Sequence, residues 1–226
     1  MSSTEFQGEE EKARSLLRRG EQRWAPTLTV VAAIVLYLTL PDELILGPRW
    51  VLPALEAALF VPLLITNPVR MTKETGVTRA ISLALIALVN VANVASLGLL
   101  VHRLLHHSSA QGRSLILTAI QIWVTNVLVF ALWFWELDRG GPVARGVGRD
   151  GPPDFLFPQM SLSELSTGWA PRFVDYLYVA FTNASAFSPT DAMPLSPMAK
   201  MLMLGEATVA LLTVAVVASR AVNILS

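Results

Sequence analysis

Five apolar runs fix what this chain can become. They extend from Pro26 to Leu46, Trp50 to Ile65, Ala80 to Leu100, Ser114 to Glu136 and Lys200 to Leu225. A helix needs about 20 apolar residues to cross a hydrocarbon core of roughly 30 Å, and only the second run falls clearly short of that. Composition agrees. Of 226 residues, 53% are apolar and 15% charged, and the mean hydropathy is +0.52, outside the balance of a soluble domain. The sequence therefore predicts an all-α, polytopic helical membrane protein with about five transmembrane helices plus one re-entrant helix, held in a lipid bilayer.

Breakers separate the runs. Pro41, Asp42 and Glu43, then Gly47 and Pro48, divide the first from the second, because proline lacks the helix donor and glycine costs helix order. These two runs read as a tight helical hairpin. Asn67 to Arg79 and His102 to Arg113 form the next two turns. Trp24, Trp50, Trp133 and Trp135 stand near span ends, where amphipathic rings favour the headgroup region. The N-terminal segment places Glu9, Glu10 and Glu11 ahead of Lys12, Arg14, Arg18 and Arg19, a charge order that suits the dipole of a solvated or surface-lying helix. It holds no signal-peptide-like apolar run, so the first span is expected to serve as its own insertion signal.

Positive evidence for an enzyme is lacking. The chain has no cysteine, which excludes disulfides and thiolate metal sites. His102 and His106 share a helix face by their spacing, but no carboxylate lies close in sequence, so neither a metal nor another cofactor is expected. The connector from Leu137 to Pro171 is rich in glycine and proline. Its Arg139, Arg145 and Arg149 answer Asp138, Asp150 and Asp154, and it reads as largely irregular with a short helix at Ser161 to Ser166. Its GGPVARGVG stretch lacks the Lys-Ser/Thr ending of a phosphate loop. No fixed-period repeat occurs, and nucleic acid is not an expected partner.

Charge inside the spans carries more information, since it costs roughly 2.5 to 3.5 kcal/mol at the bilayer centre. Glu56 lies within the second run and Glu206 within the fifth, where Glu206, Thr213 and Arg220 recur every seven residues with Ala210 and Val217 on the same stripe. Two readings compete: a packing seam whose carboxylates are paired or protonated, or a helix lining an aqueous path. Asn90, Asn93 and Ser96, with Gln121, Thr125 and Asn126, read as interhelical hydrogen-bonding residues.

The stretch from Thr182 to Lys200 follows a short aromatic helix and holds a polar loop with an Asp and then two prolines before the last long run, the pattern of a re-entrant pore loop. Glu136 ends the fourth run in FWELD; FVDYLYVAF from Phe173 to Phe181 precedes the loop; Asp191, Pro194, Pro197, Lys200 and Glu206 follow in order. In these residues the last 110 or so positions resemble the pore module of the tetrameric potassium and cation channel superfamily. There an outer helix, a pore helix, the T-V-G-Y-G-D filter and an inner helix occur in that order. Charge and the apolar runs set boundaries of 1–25 for a charged N-terminal segment and 26–110 for membrane helices 1 to 3, and the resemblance implies 111–226 as a pore-module-like region. The last divides into helix 4, the connector 137–171, a pore loop 172–195 and helix 5. It also implies a homo-oligomer, a tetramer by the family's pattern, with inorganic cations as partners. The loop is similar, too, to a family of bacterial multi-span membrane proteins, a likeness that implies no activity.

The filter departs from the pattern. Ala186, Phe187, Ser188, Pro189 and Thr190 replace T-V-G-Y-G, so both glycines are missing and the carbonyl-ring geometry of potassium selection is not expected. A side-chain filter from Thr182, Asn183, Ser185, Ser188, Thr190 and Asp191 would be wider and less selective. The early spans carry no Arg-x-x-Arg series for a voltage sensor. Most lysines and arginines lie on the N-terminal side of a five-span layout, which assigns that side to the cytoplasm by the positive-inside rule and sends the fourth span inward, opposite to a channel's outer helix. Three resolutions stay open: an outside N-terminus, an early run that does not span, or a loop that enters from the cytoplasmic face. The expected function is passive ion permeation with weak or altered cation selectivity in the plasma (inner) membrane. The alternatives are a non-conducting scaffold or partner-binding subunit, and a small proton-coupled transporter using Glu56 and Glu206.

Overall fold

The computed structural model describes residues 21–45, 47–66, 75–106, 112–147, 151–162, 169–185 and 191–225. The apolar helices among the described residues are α1 (Trp24–Leu38), α2 (Val51–Thr66), α3 (Gly76–His106), α4 (Gly112–Leu137) and α8 (Pro197–Leu225). Between α4 and α8 lie two short helices, α5 (Pro142–Val147) and α6 (Pro158–Ser161), and the 13-residue α7 (Phe173–Ser185). Two-residue strands β1 (Phe155–Leu156) and β2 (Met193–Pro194) pair antiparallel. The fold is all-helical apart from this pair, as the sequence predicts.

Three helices, α3, α4 and α8, are long and apolar enough to cross a membrane. The first run yields a shorter helix than expected, ending at Leu38 rather than Leu46. Thr39 donates its hydroxyl back to Leu36 O, Pro41 follows, and Asp42–Leu44 form a single 3-10 turn. Arg49 then closes the end of α1 by donating to Leu38 O at 2.9 Å and Leu40 O at 2.8 Å, with Asp42 Oδ1 on its Nε at 2.9 Å. A cation on the last carbonyls of a helix is favoured by the helix dipole. The α1–α2 hairpin loop tucks Leu44 and Ile45 inward, and Ser96 of α3 donates to Leu44 O at 2.9 Å.

Helix α4 is the central post. It packs against α1, α3, α7 and α8, and its segment Val127 to Glu136 is buried nearly all round, which a run without polar periodicity permits. The other helices show one buried stripe each, such as Glu56, Phe60 and Leu63 on α2. Helix α8 is the barest, with Met201, Leu204, Leu211 and Leu212 outward.

Tryptophan placement splits. Trp24 and Trp50 are exposed at helix starts, as expected for interfacial rings, whereas Trp135 is buried at 3% exposure. Trp135 packs edge-on against Phe173 and donates to Glu21 Oε2 at 2.8 Å; it is a core residue of α4, not an interfacial anchor. The connector is also more ordered than its composition suggests. Phe155 and Phe157 stack around Tyr176 of α7, with Phe134 of α4 and Trp169 completing the cluster. The chain leaves α4 through three successive positive φ angles at Arg139, Gly140 and Gly141. Gly141 has φ +99°, and a Cβ there would lie 3.0 Å from Glu136 O, so only glycine fits. The expected helix at Ser161 to Ser166 lies mostly outside the described residues; the structure has one turn earlier, at Pro158–Ser161.

Candidate functional site

Helix α7 is planted at the end of the bundle where α4 finishes. Asp138, fully buried just past α4, accepts the Tyr176 hydroxyl at 2.5 Å on Oδ2 and the Asp154 amide at 2.8 Å on Oδ1. Glu21 Oε1 accepts the Phe173 amide at 2.7 Å, satisfying a free N–H at the start of α7 where the dipole favours an anion. Arg145 lies between the two acids. Its guanidinium donates to Trp135 O and Asp138 O, reaches Glu21 at 3.5 Å and covers the Tyr176 ring at 5.2 Å. Burial pushes the Glu21 carboxyl above its ordinary value, and Arg145, Trp135 and Phe173 recover only part of that cost.

From this anchor α7 runs inward for 13 residues, a rise of about 20 Å and less than a membrane crossing. Near its far end Asn183 donates to Glu206 Oε2 at 2.8 Å and to Met203 O at 2.9 Å. Asn126 of α4 donates to Glu206 O at 3.1 Å. Glu206 sits nine residues into α8 and Asn126 eleven residues before the end of α4, depths of about 14 and 17 Å. Three elements thus meet at one buried level. The chain then comes back: β2 at Met193–Pro194 pairs with β1, and Leu195 N donates to Asp154 O at 2.8 Å, beside Asp138. Eight residues from Ser185 to Met193 extend to about 27 Å at most, enough to retrace α7.

Besides Asn183, the loop residues expected to form a filter fall into three groups. Phe187, Ser188, Pro189 and Thr190 lie outside the described residues. Thr182 and Ser185 spend their hydroxyls on the backbone of α7 itself, at Tyr178 O, Val179 O and Thr182 O. Asp191 is exposed, two residues before β2, at the end of the bundle where α7 begins. On α8 the polar stripe faces inward: Glu206 and Thr213 are both buried, and Thr213 Oγ1 donates to Val209 O at 2.7 Å. The side chain of Arg220 lies outside the described residues. Glu56 is buried on a different side of the bundle, facing Tyr37, Asn93 and Gln121. Among the described residues no three His, Cys, Asp or Glu side chains gather as the ligand set of a metal ion.

Several polar residues given no role by their spacing prove central. Glu21, Arg145 and Asp138 are charged residues in segments read as exposed, and Tyr176 sat unremarked in an aromatic run. The one available signal was FWELD, where two acids end a long apolar run. Gln121 and Asn126 do bond across helices as expected, Gln121 to Thr39 Oγ1 at 2.9 Å.

Comparison with protein families, curated proteins and solved structures finds no match to this chain.

Proposed function

We propose that the protein is a multi-pass membrane protein of the bacterial plasma membrane, with α1 to α4 and α8 crossing the bilayer and α7 re-entrant. Assembled as a homo-oligomer of tetrameric kind, it lets inorganic cations pass down their gradients with weak selectivity. One observation carries the reading. The chain from Phe173 to Pro194 goes in and comes back to the same end of the bundle, pinned there by β1–β2 and in the interior by Asn183 on Glu206. Lipid tolerates a non-helical backbone only where protein or water covers it, and a half-crossing helix whose chain reappears at its own starting end is such a case. The bare apolar face of α8 supports a position against lipid or against further copies.

With five crossings, Glu21, the end of α4 and the start of α7 share a face, and the excess of basic residues assigns that face to the cytoplasm. Of the three topologies open from sequence, this favours a loop that enters from inside. Liposomes holding the purified protein should pass K⁺ or Na⁺ down a gradient, and Asp191→Asn should change the rate or the Na⁺/K⁺ ratio several-fold. A folded oligomer with no flux under any gradient leaves the scaffold reading in its place. The transporter reading has its own support: among the described residues neither Glu56 nor Glu206 meets a basic side chain, and lone intramembrane carboxylates serve proton relays. Proton-dependent uptake abolished by Glu206→Gln would select it.

A further inference from the structure

A second buried polar site lies among the first four helices, away from the loop. Glu56 of α2 is 1% exposed and lines a cavity with Tyr37 of α1, Asn93 of α3, and Gln121 and Thr125 of α4. The cavity has room for about one water molecule. Glu56 Oε2, Tyr37 Oη and Asn93 Nδ2 are all buried and without a hydrogen-bond partner. Folded proteins satisfy nearly all their buried polar groups, and the gathering of three unsatisfied atoms on one small cavity marks the place of a polar species.

The chemistry of the lining narrows that species. Glu56 brings one negative charge, and no Lys, Arg or His lines the cavity. Arg49, whose charge reaches Tyr37, is held outside by Asp42 and by the last carbonyls of α1. A lone carboxylate in a low-dielectric interior is costly unless it takes up a proton or a counter-charge joins it, and the polar lining here suits the second. One carboxylate is balanced by one monovalent cation, whereas a divalent ion would leave the site charged. The remaining donors are hard oxygens. Tyr37 offers a phenol and Thr125 a hydroxyl. Gln121 has spent its Nε2 on Thr39, which leaves its amide oxygen, and rotation of the Asn93 amide exchanges its nitrogen for oxygen in place. Oxygen sets of this kind hold alkali and alkaline-earth cations rather than soft metals. A bare sodium ion is smaller than water and fits the space with its ligands closed around it.

We infer that Glu56, Tyr37, Asn93, Gln121 and Thr125 form a binding site for one sodium-sized monovalent cation at the meeting point of α1, α2, α3 and α4. The ion would link four helices that otherwise present unsatisfied groups to one another. The site is independent of whether the loop conducts, because it reads as equilibrium binding and not as flux.

The test is thermal unfolding of the purified full chain in detergent at constant ionic strength, in NaCl, KCl or choline chloride. Sodium at a hundredfold excess over its Kd should raise Tm by on the order of 5 to 10 °C over choline. The rise should vanish in Glu56→Gln and weaken in Tyr37→Phe, which removes one oxygen and keeps the ring. Tyr37→Phe also serves as the reading variant if Glu56→Gln does not fold. Equal melting in sodium and choline overturns the site and leaves a buried water in the cavity. A sodium response undiminished in both variants overturns the assignment of ligands, and a larger rise in potassium overturns the size argument.

Discussion

Asn183 ties α7 to α8 through one amide. Its Nδ2 is shared between Met203 O and Glu206 Oε2, while Glu206 O takes the amide of Asn126. Removing one partner of a buried polar pair strands the other, at about 1 to 3 kcal/mol. Asn183→Ala is therefore expected to destabilise the folded protein by about that amount, whereas Thr182→Val, which loses only a hydroxyl bonded to its own helix, should cost under about 1 kcal/mol. Thermal unfolding of the two variants side by side decides it, and equal losses would show that Asn183 does not hold the knot. Glu206 was legible in the sequence because a charge in an apolar run is costly wherever it stands. Its partners were not, since Asn126 and Asn183 are 57 residues apart and only the folded chain brings one to its backbone carbonyl and the other to its carboxylate.

At the level of elements, local chemistry read well where the backbone itself sets the boundary. The start of α7 at Phe173 follows the sequence; α8 begins at Pro197, three residues ahead of the expected Lys200 because proline suits a first helical position, and the shortening of α1 follows from Thr39 and Pro41 acting earlier than hydropathy suggested. The connector was misread because aromatic residues between glycines and prolines carry no period; Phe155 and Phe157 acquire meaning only against Tyr176. The anchoring of α7 gives a measurable pH dependence. Burial raises the folded-state pKa of Glu21 above its ordinary value of 4.5, so the folded state binds this proton more tightly than the unfolded chain does. By linkage the Glu21 contribution to stability is fully present below that ordinary value and is lost as pH rises through the raised folded value. Glu21→Gln keeps the acceptor for Phe173 N and cannot titrate. A plot of Tm against pH from 4 upward is expected to fall less steeply in Glu21→Gln than in the parent, with parallel curves excluding this role for Glu21.

For the whole molecule, contacts between distant segments fix which helix ends share a face without any appeal to hydropathy. Arg103 near the end of α3 pairs with Glu43 of the first hairpin at 3.3 Å, so these two lie at one end. Arg79 near the start of α3 donates to Gly140 O beyond α4, and Arg23 before α1 donates to Leu63 O near the end of α2, so these lie at the other. Helices α1 to α4 thus alternate in direction, and α8 starts at the end where α4 stops. If all five cross, Glu43 and Gly151 must face opposite compartments. The chain has no cysteine, so single cysteines report directly. Glu43→Cys sacrifices only an exposed ion pair, worth under about 1 kcal/mol, and Gly151→Cys meets no atom within 4 Å of its new Cβ. In intact cells a membrane-impermeant maleimide is expected to label Glu43→Cys and to reach Gly151→Cys only after the membrane is opened. The reverse pattern would place the basic face outside and turn the re-entrant loop toward the exterior. Labelling of both from outside would mean that α1 to α4 do not cross, and the five-span reading would fall with it.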